Sequence, residues 1–222
     1  TYAEEKMMKK VVLITGASSG IGKETAKFLL SKGFTVYAAA RRLEMMNDIK
    51  DLGGNIINMD VSQDASMVEG VNKIIAKEGR MDVLVNNAGY GSYGSLEDTP
   101  MSEAKYQYEV NVFGLARLSQ LVIPHMRKQR SGKIINVTSI AGKVAAPHGS
   151  WYHSSKFAVE GISDCMRMEL KQFGIDVILI EPGGIKTEWN DIARDNLAKV
   201  SGQTVYKNLA NKQVTLLKHF DA

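Results

Sequence analysis

An open, doubly wound parallel sheet of the Rossmann-like type, in a single α/β domain, is the fold that the sequence predicts. Three observations carry this expectation. Short apolar runs alternate with longer helical stretches along the 222 residues, the pattern of parallel βαβ units. The runs at 11–14, 83–85, 134–137 and 177–180 are almost wholly Val, Ile and Leu, as strands covered on both faces should be. The first run leads straight into a glycine-rich turn, "TGASSGIGKE" at 15–24, placed to open a helix.

Taken in order, strands are expected at 11–15, 35–39, 55–59, 82–86, 133–138 and 176–181, and helices near 20–32, 43–52, 64–78, 101–129 and 151–173. No 20–50-residue repeat, low-complexity tract or Pro/Gly linker marks a second domain. Residues 9–222 therefore read as one domain, long enough to bury a sizeable core. The polar opening "TYAEEKMM" (1–8) lacks the apolar stretch of a signal peptide and reads as a frayed leader or cloning remnant.

Composition narrows the function classes. Hydrophobic content of 44% and charged content of 23% are those of an ordinary globular protein. The net charge of +4 is spread along the chain, so a nucleic-acid partner is not implied. Runs such as "DVILI" at 176–180 are too short to span a bilayer. The single cysteine, Cys165, excludes an internal disulfide and suits a reducing compartment, so a cytoplasmic address is expected. Its helical position suggests a packed thiol. His125, His148, His153 and His219 lack metal-ligand spacing and no acidic cluster joins them, so no metal is expected. The eleven methionines read as core filling.

The glycine turn allows three readings. As a phosphate loop it fails, because Gly16 is one residue too far from Gly22-Lys23, and Glu24 stands where a Mg²⁺-binding hydroxyl is needed. As a nucleophile elbow around Ser18 it lacks the earlier strand that would supply an oxyanion loop. The third reading, Gly16-x-x-x-Gly20-x-Gly22, is a spacing variant of the dinucleotide turn, in which glycines let backbone N–H groups approach a pyrophosphate. The second strand supports it. Where an NAD enzyme places an acid for the ribose 2′-hydroxyl, this chain has Ala40 followed by Arg41 and Arg42. Two guanidiniums suit a 2′-phosphate, although at a strand end they also read as solvated residues.

Together "TGASSGIG" (15–22), "NNAG" (86–89), Asn111 in "EVNVFG", Ser139 in "NVTSIAG", Tyr152-x-x-x-Lys156 and "PGGIKT" (182–187) resemble the short-chain dehydrogenase/reductase family, in its compact single-domain branch. The match runs from about Lys10 to Glu188. "YAAARR" and "WYHSSKFAVEG" look most like NADPH-dependent carbonyl reductase and hydroxysteroid-dehydrogenase members. The resemblance implies an NADP-dependent oxidoreductase acting on a carbonyl or secondary alcohol. It implies Tyr152 as general acid/base, with Lys156 lowering its pKa and holding the nicotinamide ribose. Ser139 would polarise the substrate carbonyl, and Asn111 would hold a relay water at a helix bend. The implied cofactor contacts are Gly16, Ser18, Ser19, Gly20, Ile21 and Gly22 at the turn; Arg41, Arg42, Asp60 and Val61 around the adenosine; Asn87, Ala88 and Gly89 at the central strand; and Pro182, Gly183, Ile185 and Thr187 beside the nicotinamide. Tyr152 and Lys156 complete that set. A non-catalytic dinucleotide-binding sensor or scaffold is the alternative.

A substrate lid of loops is expected near 186–215, with Trp189, Ile192 and Leu197 as possible substrate contacts. Tyr90, Tyr93, Ala141, Val144 and His148 are candidates for the pocket wall. Members of the branch continue past the lid with a further strand. None is evident here after residue 200, so either the chain is truncated or the sheet ends at six strands. A homodimer through the helices at 101–129 and 151–173 is expected, from Phe113, Leu115, Leu118, Leu121 and Val122 exceeding one core-facing stripe.

Overall fold

The computed structural model describes residues 9–185 and 188–219; the leader at 1–8 and Thr187 lie outside the described residues. Among these, β1 (Val11–Thr15), β2 (Thr35–Ala40), β3 (Asn55–Asn58), β4 (Val83–Asn86), β5 (Gly132–Val137) and β6 (Ile175–Ile180) form one parallel sheet, ordered β3-β2-β1-β4-β5-β6. The direction of strand progression reverses between β1 and β4, which opens a crevice at their carboxyl ends.

Alternation along β1 shows why the sheet must be covered twice. Val11 and Leu13 join Leu84, Leu118, Val122 and Met126 in one cluster, whereas Val12 and Ile14 join Ala26, Val36, Ala38 and Ile49 in another. Each such side chain, fully buried, is worth roughly 1.5–3 kcal/mol. Leu13 sits opposite Tyr37 on one side and Leu84 on the other. Polar side chains between the central strands pair with one another. Asn86 and Asn136 face each other across β4 and β5 with a 2.9 Å hydrogen bond. Asn86 also donates to Ser119, and Asn136 to Ser163. This chain of side-chain amides and hydroxyls fixes the register of β4 against β5.

The helices follow the expected order with three differences. The stretch at 43–52 is a 3₁₀ turn (Leu43–Met46) running into α2 (Asn47–Asp51). The stretch at 101–129 is interrupted: α4 (Met101–Tyr108) passes through a π-helical turn, Glu109–Gly114, into α5 (Leu115–Gln129). The lid is helical, with α7 (Glu188–Ser201) and α8 (Lys207–His219). The remaining helices are α1 (Gly20–Ser31), α3 (Asp64–Glu78) and α6 (Ser150–Leu170).

Two expectations about individual side chains are corrected. Cys165 is exposed on α6, not packed. Leu115, Leu118 and Val122 are consumed by the chain's own interior, so of the apolar residues read as surplus only Phe113 is substantially exposed. Met46, Met59, Met67, Met81, Met126 and Met166 are buried, as expected of core filling. No described helix is long and apolar enough to cross a membrane.

Candidate active site

The crevice is built first by backbone. Gly16 has φ of +65°, and a Cβ there would lie 2.8 Å from the Ala88 Cα, so the turn after β1 requires glycine. At Gly22 a Cβ would meet the Gly16 carbonyl oxygen at 2.6 Å and collide with the Asn87 amide. That amide is itself fixed, donating to the carbonyls of Thr15 (3.0 Å) and Gly16 (3.2 Å). The Thr15 hydroxyl accepts from the N–H groups of Asn87 and Ala88 at 3.1 and 3.0 Å. The carboxyl ends of β1 and β4 are thereby stitched together. Ser19 makes no side-chain cap on α1, and no acid stands in the first turn. The positive end of the helix is left for an anion.

Two connected cavities of about 570 and 360 Å³ run across the strand ends and share Gly16, Ser19, Ala88, Gly89 and Tyr90. The smaller is lined by Ser18, Arg41, Arg42, Asp60 and Val61. The larger is lined by Gly20, Ile21, Asn87, Pro182, Gly183 and Ile185, and beyond them by Ser139, Tyr152 and Lys156. Apart from Thr187, which lies outside the described residues, the structure brings the sequence-expected site residues into one cleft, with two set back from its wall. Gly22 lies beneath Asn87, and Asn111 stands behind Gly89.

Arg41 lies exposed at the rim, its Nη1 donating to the Tyr106 hydroxyl at 3.1 Å. Asp60 folds its carboxylate back onto Ser62, accepting from the N–H (2.9 Å) and the hydroxyl (2.7 Å). It therefore shapes the loop and does not stand where an NAD enzyme places its ribose-binding acid.

At the other end, α6 carries Tyr152 and Lys156 on one face, both buried. Lys156 Nζ lies 5.8 Å from the Tyr152 ring centroid and donates to the Val137 carbonyl at 3.1 Å. Burial pushes the ammonium pKa down to about 8, opposed by the nearby Glu160 carboxylate. Burial also raises the Tyr152 phenol, while its hydrogen bond with Ser139 pulls it down. Desolvation is the largest single influence on both groups in this geometry. Ser139, two residues past β5, caps the short 3₁₀ turn Ile140–Gly142, accepting from the Ala141 N–H at 3.1 Å. Asn111, in the π-helical turn, accepts from the Tyr90 N–H (3.0 Å) and donates to the Tyr90 carbonyl (2.9 Å) and to Ser155 (3.1 Å). The wider turn is what allows a side chain in mid-helix to reach Gly89.

Of the wall candidates, Tyr90, Tyr93, Ala141 and Val144 line the larger cavity, joined by Gln213, Leu216 and Leu217 of α8. His148 does not: it is buried with φ of +61° and packs edge-on against Tyr206. Leu197 is buried in a cluster with Tyr93 and Tyr152, and Ile192 lines the smaller cavity instead of the substrate end. The Trp189 side chain lies outside the described residues. α8 was missed in the sequence, although Ala210, Val214 and Leu217 recur at the i, i+4, i+7 spacing of a helix face. The lid turn is held by Asp98, which accepts from the hydroxyls of Ser201 (2.7 Å) and Thr204 (2.8 Å). Ser18 hydrogen-bonds no histidine among the described residues. No group of metal ligands occurs among them either.

A parallel sheet with a glycine turn at its switch point, and a tyrosine and lysine at the far end of the same cleft, define a dinucleotide-dependent oxidoreductase class. Comparison with known proteins agrees. Residues 10–198 match the short chain dehydrogenase family, and the chain belongs to it. It is 40% identical over 198 residues to the 3-ketodihydrosphingosine reductase of Bacteroides thetaiotaomicron, covering 89% of this chain and 71% of that protein. A short-chain dehydrogenase/reductase structure from Burkholderia phymatum in complex with NAD superimposes with a TM-score of 0.82 at 26% identity, covering 94% of this chain and 79% of that one. An alcohol dehydrogenase from Thermococcus sibiricus complexed with 5-hydroxy-NADP gives 0.77 at 26% identity, covering 95% and 91%.

Proposed function

We propose that the chain transfers hydride between NADPH and a carbonyl or secondary alcohol, with Tyr152 as the general acid/base. The observation that carries this reading is one cleft holding a phosphate-ready turn at one end and Ser139, Tyr152 and Lys156 at the other. The residues present fit the cofactor. Gly16 and Gly22 leave a cradle that a Cβ would fill, and Arg41 and Arg42 follow Ala40 at the strand end where a 2′-phosphate would lie. Solved members of the same fold hold NAD and an NADP analogue, so the choice of NADPH rests on this chain's arginines. When bound, NADPH would supply a hydride from C4 of its nicotinamide.

Everything else is done by side chains. Ser139 donates a hydrogen bond to the substrate oxygen, and Tyr152 delivers the proton to that oxygen as the alcohol forms. The buried phenol by itself has too high a pKa for easy exchange. Charge of the oxidised nicotinamide and a protonated Lys156 would bring it nearer the operating range. Lys156 would hold the ribose, and Asn111, whose Oδ1 has a second lone pair, would accept from a relay water behind it. Pro182, Gly183 and Ile185 would wall the nicotinamide. Phe113 and Phe157, exposed on elements that pack together, support the homodimer in reduced form. The sole cysteine supports a cytoplasmic address. Following absorbance at the reduced-nicotinamide band with a carbonyl panel tests the reading; tight NADPH binding without turnover of any carbonyl would favour the sensor instead.

A further inference from the structure

The substrate end of the larger cavity is nearly free of charge. Among the described lining residues, Lys156 is the one lysine, arginine or acidic side chain, and it is turned toward the Val137 carbonyl at the catalytic end. The nearby carboxylates are committed elsewhere: Glu103 accepts from Tyr90, and Glu160 pairs with Lys143 at 2.7 Å. The mouth has the opposite character. Ile140, Val144, Ile185 and Leu216 all line this cavity, and each is between 44% and 57% exposed. Isolated exposed apolar residues need no explanation, but four converging on one opening mark a binding surface. Part of that cavity, about 570 Å³ in all, is lined by the residues assigned to the nicotinamide half of the cofactor, so the apolar mouth, and not the volume, points to a long substrate.

We infer that the substrate is an uncharged, long-chain aliphatic ketone or the matching secondary alcohol. Its oxygen is seated between Ser139 and Tyr152, and its alkyl chain leaves over Val144 and Leu216. This inference rests on the oxidoreductase reading and specifies its substrate. In the step itself a C–H and an O–H bond form, the carbonyl π bond breaks, and NADPH is oxidised to NADP⁺ as Tyr152 gives up the proton. An ionised group on the enclosed part of the substrate would meet no counter-charge among the described lining residues and would be desolvated without compensation from them. A longer alkyl chain buries more apolar surface at the mouth.

The test is kcat/KM with NADPH for straight-chain 2-alkanones from butanone to dodecanone, beside analogues bearing a terminal carboxylate. The expected result is a rise of about two- to fourfold per methylene before a plateau, with the carboxylate lowering kcat/KM at least roughly tenfold at matched length. Leu216→Asp, and independently Val144→Asp on the other side of the mouth, should cut the dodecanone-to-butanone ratio by roughly tenfold or more. A flat or falling series, or better turnover of the carboxylates, overturns the substrate assignment while leaving the oxidoreductase reading intact. No turnover of any alkanone or alkanol by protein that binds NADPH overturns both.

Discussion

At the nucleotide end of the cleft, shape is set by backbone; at the substrate end, by side chains from two helices laid over the sheet. The first end consists of strand termini and a glycine turn, sewn together by Asn87 and Thr15. There a single Cβ at Gly16 would meet Ala88 Cα at 2.8 Å. The second end is closed by α7 and α8, attached to the body partly through hydroxyl and carboxylate contacts at Asp98 and Glu97. The contrast teaches that one end is specified residue by residue, because phosphate and backbone tolerate little substitution. The other is specified only by apolar character, which many residues supply.

Substitutions sharpen the contrast, beginning with the largest expected effect. Tyr152→Phe keeps the ring against Tyr93 and removes only the hydroxyl. kcat should fall roughly 10²–10⁴-fold, with NADPH affinity by titration nearly unchanged; near-native kcat would end the assignment of Tyr152.

Next in size is cofactor choice. Arg41→Ala should reduce the NADPH-over-NADH ratio of kcat/KM by roughly ten- to a hundredfold, the worth of a hydrogen bond to a charged group. Ala40→Asp should reverse the preference, by repelling the phosphate and accepting from a 2′-hydroxyl. Because Arg41 is exposed, added salt should narrow the native ratio. A ratio that Arg41→Ala leaves unmoved would place the discrimination elsewhere.

The lid answers to a smaller change. Asp98→Asn keeps the size but weakens the acceptor for Ser201 and Thr204. Substrate KM should rise roughly two- to tenfold, with NADPH affinity untouched, and an equal loss of both would show that the ends are not independent. Those donors hold the Asp98 carboxyl below its ordinary pKa. Its contribution to lid closure is therefore present above the unfolded pKa and is lost as pH falls through the lower folded value.

The mildest effect is on stability. Lys156 is buried with its pKa pushed down to about 8, so at pH 7 the fold carries an ammonium that it disfavours. Lys156→Met should abolish turnover yet raise Tm of the cofactor-free protein by about 4–8 °C. This corresponds to roughly 2 kcal/mol, after allowing for the lost bond to Val137. The sign follows from proton counting. Between the folded and unfolded pKa values the unfolded chain binds more protons, so native stability rises with pH there. The gain in the variant should then shrink between about pH 8 and 10.5. A lowered Tm at pH 7 would mean that packing around the lysine outweighs its charge.

What was legible in the sequence follows the same division. The strands could be placed because Val, Ile and Leu runs answer to burial on both faces, and Gly16 and Gly22 because no other side chain fits. The lid helices were not visible. Their fully buried apolar stripes are thin, being Ala193 with Leu197 and Ala210 with Leu217, while Ile192, Leu209 and Leu216 stand exposed and blur the pattern. The π-helical turn was read only as a bend, since no residue type demands it. The desolvation of Tyr152 and Lys156 was not legible: spacing shows that Lys156 is near but says nothing of the burial that moves both groups.

The π-helical turn at Glu109–Gly114 also acts as a one-residue phase shift. In a regular helix each residue advances the azimuth by about 100°. One surplus residue therefore re-aims everything upstream without disturbing what lies downstream. Leu118, Val122 and Met126 keep their bearing on the sheet. Gln107, a turn before the shift, is aimed at the Ser92 N–H in the loop over the cleft. Deleting one residue from 109–114 would leave two acceptable helices in the wrong rotational relation, with Asn111 pointed away from Gly89. The segment is thus a place where sequence length, more than sequence identity, encodes orientation, and where a lineage could gain or lose a catalytic side chain through a single in-frame codon.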